Sequence, residues 1–175
     1  MTKTAKILWI DLEMTGLDTS KDVILEIAAI VTDWEFKELA TFEEIVHQSD
    51  RTLETMNEWS INQHGISGLT EKVRSAKKSS EQVEDDLLKF VDKNFEKDVP
   101  ILLAGNSIHM DRRFIETQWK RVDAKLHYRM LDVSAWKVVF ENKFKKKFAK
   151  PEEHRALGDI RGSIEELKYY LAKLK

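Results

Sequence analysis

Trp9-Ile10-Asp11-Leu12-Glu13-Met14-Thr15-Gly16 leads out of an apolar run over residues 7–10, and this stretch decides the reading of the chain. Four consecutive apolar residues predict a short buried strand. Side chains two apart on a strand share a face, so Asp11 and Glu13 point the same way at the end of that run. Two carboxylates held side by side repel one another, and a divalent cation between them removes the conflict. The same pair also reads as two solvent-facing acids on an edge strand. Asp-x-Glu by itself leaves both readings open.

Working outward, Ile24–Thr32 (ILEIAAIVT) predicts a second strand and residues 36–47 a third, with a turn near Asp33. Ile101–Gly105 (ILLAG) predicts a fourth, and residues 128–133 (YRMLDV) a fifth. Over residues 80–95, Val83, Leu87, Val91 and Phe95 recur at helical spacing. Residues 112–120 and 134–142 read as helices. A final helix over about 156–174 places Ile160, Ile164, Leu167 and Leu171 on one stripe, which should pack on the sheet. Strands in series, followed by strands alternating with helices, predict a mixed α/β sheet with helices on its faces.

Two further segments carry acids. Gly105-Asn106-Ser107-Ile108-His109-Met110-Asp111 follows the fourth strand and opens a helix. Asp111 is there either a ligand or a first-turn acid favoured by the helix dipole. His154-Arg155-Ala156-Leu157-Gly158-Asp159 enters the last helix. A gap of five does not put His154 and Asp159 on one helical face. If both serve one site, His154 lies on the loop or first turn and Asp159 inside the helix. Pro151 just upstream suits a chain break. The bland reading of His154 is an exposed residue ahead of an amphipathic helix.

The bulk numbers narrow the classes. The 175 residues suit one domain, and 42% hydrophobic with 34% charged residues is a globular balance. No apolar run approaches the roughly 20 residues that cross a bilayer. Only six residues precede the first apolar run, which leaves no room for a signal peptide before it. The chain has no cysteine, which excludes disulfides and thiolate metal sites and suits a reducing, cytoplasmic compartment. The net charge is −2, from 29 Lys and Arg against 31 Asp and Glu. A protein gripping a long duplex carries a basic stripe. This one therefore ignores nucleic acid or holds a few phosphates locally. With 6 glycines and 2 prolines there is no Pro/Gly-rich linker, and the chain reads as one unit.

In order, the three acidic segments resemble the DEDDh exonuclease superfamily, whose fold is ribonuclease H-like. The match is closer still to the oligoribonuclease family. IDLEMTGLD, VHQSD, GNS…DRRF, HYR-x-LDVS, HRAL-x-DIR and ELKYY resemble that family across nearly the whole chain.

The resemblance implies a single exonuclease domain over residues 1–175 that degrades short single-stranded RNA, notably dinucleotides, from the 3′ end to nucleoside 5′-monophosphates. It implies that Asp11, Glu13, Asp111 and Asp159 bind two Mg²⁺ or Mn²⁺ ions and that His154 is the general base. Two ions roughly 4 Å apart serve both ends of an in-line displacement, and an imidazole titrates near the working pH. Leu17 and Trp59 resemble residues that pack against bases. Ser107, Arg129, Ser134 and His64 resemble groups that cap the terminal phosphate. His64 and Tyr128 act near the partner subunit's site in the family, so a homodimer is implied. The blander readings are a core Trp59, an Arg129 paired with a surface acid and a Ser107 that caps the helix.

One departure is Gly158, where the family commonly has an acid. Asp159 keeps the five-residue distance from His154 and takes the metal assignment. Gly158 costs about 1 kcal/mol of helix propensity. Asp132 reads as a helix cap or a supporting acid, and His47 and His127 as structural. Residues 143–150 (KFKKKFAK) read as a solvated loop or helix end that could also steer anionic substrate. Two rival functions remain: a DEDDh exonuclease for longer DNA or RNA 3′ ends, and a non-catalytic nucleic-acid-binding dimer.

Overall fold

Strand β1, Ile7–Met14, is flanked on both sides. It pairs antiparallel with β2, Ile24–Thr32, and parallel with β4, Ile101–Gly105. The edges are β3, Glu38–Ile45, antiparallel to β2, and β5, Leu126–Asp132, parallel to β4. The five-stranded order is β3-β2-β1-β4-β5. The structure, a computed structural model, describes residues 5–149 and 156–174. His154, Pro151 and Lys150 lie outside those residues.

The central strands are apolar because both of their faces are covered. On one face Leu8, Ile10 and Leu12 pack with Val83, Leu87 and Val91 of helix α4, Ser80–Asn94, and with Phe114 and Ile115 of helix α5, His109–Gln118. On the other, Ile7 and Trp9 meet Val133 and Phe140 of helix α7, Val133–Asn142, and Ile160, Ile164, Leu167 and Tyr170 of helix α8, Ala156–Ala172. Burying each such side chain contributes about 1.5–3 kcal/mol. Trp9 is fully buried, and its indole N–H donates to Thr32 Oγ1 at 3.0 Å. The stripe expected on the last helix therefore packs on the sheet, with Leu171 at its margin. Among the described residues no helix is long and apolar enough to cross a membrane.

Three differences from the sequence reading have physical causes. β1 runs four residues past Ile10, because its ladder with β2 continues through Asp11↔Ala28 and Glu13↔Glu26. Charge ends the apolar run there before backbone pairing ends. α5 begins at His109, so Asp111 falls in its first turn. Residues 50–75 fold into α1, Asp50–Leu53, α2, Glu58–Ile66, and α3, Leu69–Ser75, none of which was expected. Their small core, in which Leu53 of α1, Met56 of the following turn and Leu69 and Val73 of α3 meet Leu25, draws too few residues from any one helix to leave a sustained stripe. Two caps were legible: Ser49 and Asn57 each accept a backbone N–H with their side chain. A short helix α6, Lys120–Asp123, follows α5.

Gly105 closes β4 directly before the segment that carries Asp111. A Cβ there would lie 2.9 Å from the Ile10 carbonyl oxygen and 2.9 Å from Ile108 Cδ1. Gly105→Ala should therefore destabilise the fold by about 1–3 kcal/mol through overpacking. Urea denaturation checks this, and an unchanged midpoint would show that β4 shifts freely away from β1.

Candidate active site

Where the strands end brings Glu13 within electrostatic reach of both Asp111 and Asp159. Asp11 and Glu13 follow Ile7 and Trp9 on the odd-numbered face of β1, which is the face that α8 covers. Asp159 lies in the first turn of α8. Asp111 approaches from α5, is 7% exposed, and accepts the Leu12 backbone N–H on Oδ1 at 2.9 Å. That bond fixes it against the residue between Asp11 and Glu13.

Electrostatics report the crowding. Burial pushes Asp111 up to about 7; its backbone hydrogen bonds oppose the rise, and Glu13 adds to it. Glu13 is raised first by burial and then by Asp159. Glu26, directly across the ladder from Glu13, is raised by burial and then by Glu13. Sequence reasoning missed Glu26, because only the strand register places it there. An all-carboxylate set suits a hard divalent cation, and such an ion would offset the repulsion. Among the described residues, no three acidic or imidazole side chains stand close enough together to clasp one as they are placed.

His64 lies beside the end of β1. It is 3% exposed, with Nε2 2.9 Å from the Met14 carbonyl and Nδ1 3.9 Å from Glu13 Oε2. Within its own chain it stands beside Glu13, because α2 packs against the end of β1. A cleft of about 390 Å³ opens between Leu12, Glu13, Leu17, Asn57, Trp59 and His64. Leu17 is 67% and Trp59 70% exposed, so Trp59 is not core. The loop that presents Leu17 is tied by Asp22, which accepts from Thr15 Oγ1 at 3.0 Å and from the Asp18 N–H at 2.9 Å. A Cβ on Gly16 would collide with that carboxylate.

Ser107, in the segment ahead of α5, meets Ser134 of α7. Ser107 has φ +50° and donates its backbone N–H to Asp132 Oδ1 (3.0 Å) and Ser134 Oγ (2.9 Å). The two hydroxyls are 3.2 Å apart. Ser107 is not a helix cap: the cap position of α5 is Ile108, which makes no side-chain bond. Asp132 is the cap of α7, as expected. Exposed Tyr128 and Arg129 lie on edge strand β5, the Arg129 guanidinium 5.2 Å from the Tyr128 ring centroid. His127 stacks on that ring, and His47 Nδ1 lies 3.2 Å from the Val73 carbonyl; both roles are local. The lysines at 143 and 145–147 are exposed on irregular chain after α7.

A carboxyl whose folded pKa is raised prefers its proton in the native state. Its contribution is therefore most favourable below the unfolded value near 3.8 and is lost as pH rises to about 7. With chelator present, unfolding free energy should fall across that window by up to about 4 kcal/mol on account of Asp111. Asp111→Asn should flatten the fall, which thermal melts from pH 4 to 8 would measure. An identical pH slope in parent and variant would contradict the burial of this acid.

Comparison with known proteins agrees with this geometry. The exonuclease family RNase_T matches residues 8–167. An oligoribonuclease of Francisella tularensis subsp. novicida (strain U112) is 46% identical over 99% of this chain and 98% of its own. A probable oligoribonuclease of Dictyostelium discoideum is 45% identical over 96% of this chain and 90% of its own. Among solved structures, E. coli exonuclease I in a complex with single-stranded DNA and zinc superposes with a TM-score of 0.72 at 15% identity. That match covers 98% of this chain but 41% of exonuclease I, and it shows the shared fold. Sheet order, acid placement and near full-length similarity together assign this chain to the oligoribonuclease family of exonucleases.

Proposed function

We propose that the chain is a metal-dependent 3′-to-5′ exoribonuclease that degrades short oligoribonucleotides, dinucleotides above all, to nucleoside 5′-monophosphates. The observation that carries this reading is the buried Asp111 carboxyl, held to Leu12 and raised to about 7 beside Glu13. Acids forced together in a low-dielectric cleft favour a cation there.

On this reading Asp11, Glu13, Asp111 and Asp159 hold two divalent cations, and their oxygen donors suit Mg²⁺ or Mn²⁺. Such ions would supply an activated water and charge stabilisation for the departing 3′ oxygen. His154 takes the water's proton. Leu17 and Trp59 flank the cleft beside Glu13 and stack on bases, which an aromatic face does without regard to base identity. Ser107, Ser134 and Arg129 receive the terminal phosphate of the substrate. His64, which lines the cleft beside Glu13 and contacts the Met14 carbonyl at the end of β1, contributes to the same phosphate cap.

Recognition of an end needs few cations, which accords with a net charge of −2. We include a homodimer in this reading, with Tyr128, 74% exposed on edge strand β5, as the residue that would reach the second copy. The absence of cysteine suits the cytoplasm.

A product time course on a 5′-labelled dinucleotide and a long single strand, with and without chelator, tests the assignment. The dinucleotide should be cleaved with the higher kcat/KM, and chelator should stop cleavage. A strong preference for the long strand would defeat the short-substrate reading. Chelator-resistant cleavage would defeat the metal reading, and no mononucleotide release at all would leave a binding module. His154→Ala should lower kcat by about 10²–10⁴-fold while Mn²⁺ binding survives; turnover equal to the parent would remove His154 from the base role.

A further inference from the structure

Two sequence motifs lie outside the acidic set: GNS around Asn106 and ELKYY around Glu166. In the fold they meet. Tyr170 is fully buried and donates its hydroxyl to Glu166 Oε1 at 2.8 Å. Glu166 is 3% exposed, and its Oε2 lies 3.3 Å from Asn106 Nδ2. The same amide nitrogen donates to Ser163 Oγ at 2.8 Å, and Ser163 donates onward to the Asp159 carbonyl at 3.0 Å. On the other side, Asn106 Oδ1 accepts from the Ser134 hydroxyl at 3.2 Å, and Ser134 Oγ accepts the Ser107 N–H at 2.9 Å.

Asn106 is thus the junction of three segments. It follows β4, Ser134 opens α7, and Ser163 and Glu166 lie on α8. Its amide orientation is fixed by its partners. Turned over, Oδ1 would face the Glu166 carboxylate and repel it. Buried polar chains of this kind are rigid when every member is satisfied and costly when one is not.

We propose that Asn106, held from behind by Glu166 and Tyr170, is a positioning residue that sets the distance between Ser107 and Ser134 and the helix carrying Asp159, and thereby gives the site its preference for two nucleotides. This rests on the reading above, in which those serines receive the terminal phosphate while the acids act at the scissile one. A fixed separation between the two favours a substrate whose two phosphates are one nucleotide apart. A longer chain cannot place its terminal phosphate on the serines and gains nothing from the ruler.

The test compares kcat and KM for a 5′-phosphorylated dinucleotide and a 5′-phosphorylated heptanucleotide. Asn106→Ala should raise KM for the dinucleotide about tenfold or more with little change in kcat, as expected for one lost ground-state contact. Heptanucleotide kcat/KM should stay within about threefold, so the preference ratio collapses. Glu166→Gln keeps an acceptor towards Asn106 and, with the Tyr170 hydroxyl turned to accept, should retain the parental ratio. Should Asn106→Ala fail to fold, the triple variant Asn106→Leu, Glu166→Met, Tyr170→Phe replaces the whole polar chain with apolar groups of similar size, and it should lose the ratio while keeping a cooperative melt. An equal drop on both substrates, or an unchanged ratio in a folded variant, would overturn the positioning role. A parent enzyme with no dinucleotide preference would sink the substrate reading itself, and this inference with it.

Discussion

A hydrogen bond of 2.9 Å from the Leu12 backbone to the Asp111 carboxylate joins residues 99 positions apart in sequence. It is made between the two acids of β1, and it holds an ionisable group where water is largely excluded. Everything around it serves that placement. The parallel pairing of β4 beside β1 brings the β4–α5 connection to the same end of the sheet as Asp11 and Glu13. Gly105 permits the close approach. α8 packs on the odd-numbered face of β1 and carries Asp159 to Glu13 from the other direction.

The cost of this arrangement is visible in the acids themselves. Burial dominates the raised pKa values of both Asp111 and Glu13, with neighbouring carboxylates adding to each. A fold selected only for stability would disperse such charges to the surface. Keeping them together makes sense when a cation shares the site, because the repulsion that opposes folding then becomes affinity for the ion. His64 and Glu26 belong to the same account. One ties the end of β1 to α2 through the Met14 carbonyl, and the other stands across the ladder from Glu13. Neither is near the first acidic motif in sequence.

The polar layer under the serine wall has a different character. Asn106, Ser163, Glu166 and Tyr170 are joined in a satisfied chain beneath the serines, so that wall is stiff. The Trp59 and Leu17 wall is exposed and apolar. On the proposed reading, bases would pack on the latter and the terminal phosphate would register with the former.

Much of this was legible in the residues alone. The apolar runs at 7–10, 24–32 and 101–105 and the spacing of Val83, Leu87 and Val91 determine the main strands and a principal helix, because burial on a regular element leaves a period in the sequence. The order of the acidic segments, with IDLEMTGLD and GNS…DRRF, identified the candidate ligands and the family. Period says nothing where several short helices share one small core, and so residues 50–75 were not foreseen. Register is likewise invisible: only the paired strands set Glu26 opposite Glu13, and only the packing of α2 brings His64 beside that acid. Asn106 and Glu166 are polar letters 60 positions apart until the sheet and α8 close on one another. Local sequence fixes which face a side chain takes, but which faces meet is decided by packing across the whole chain.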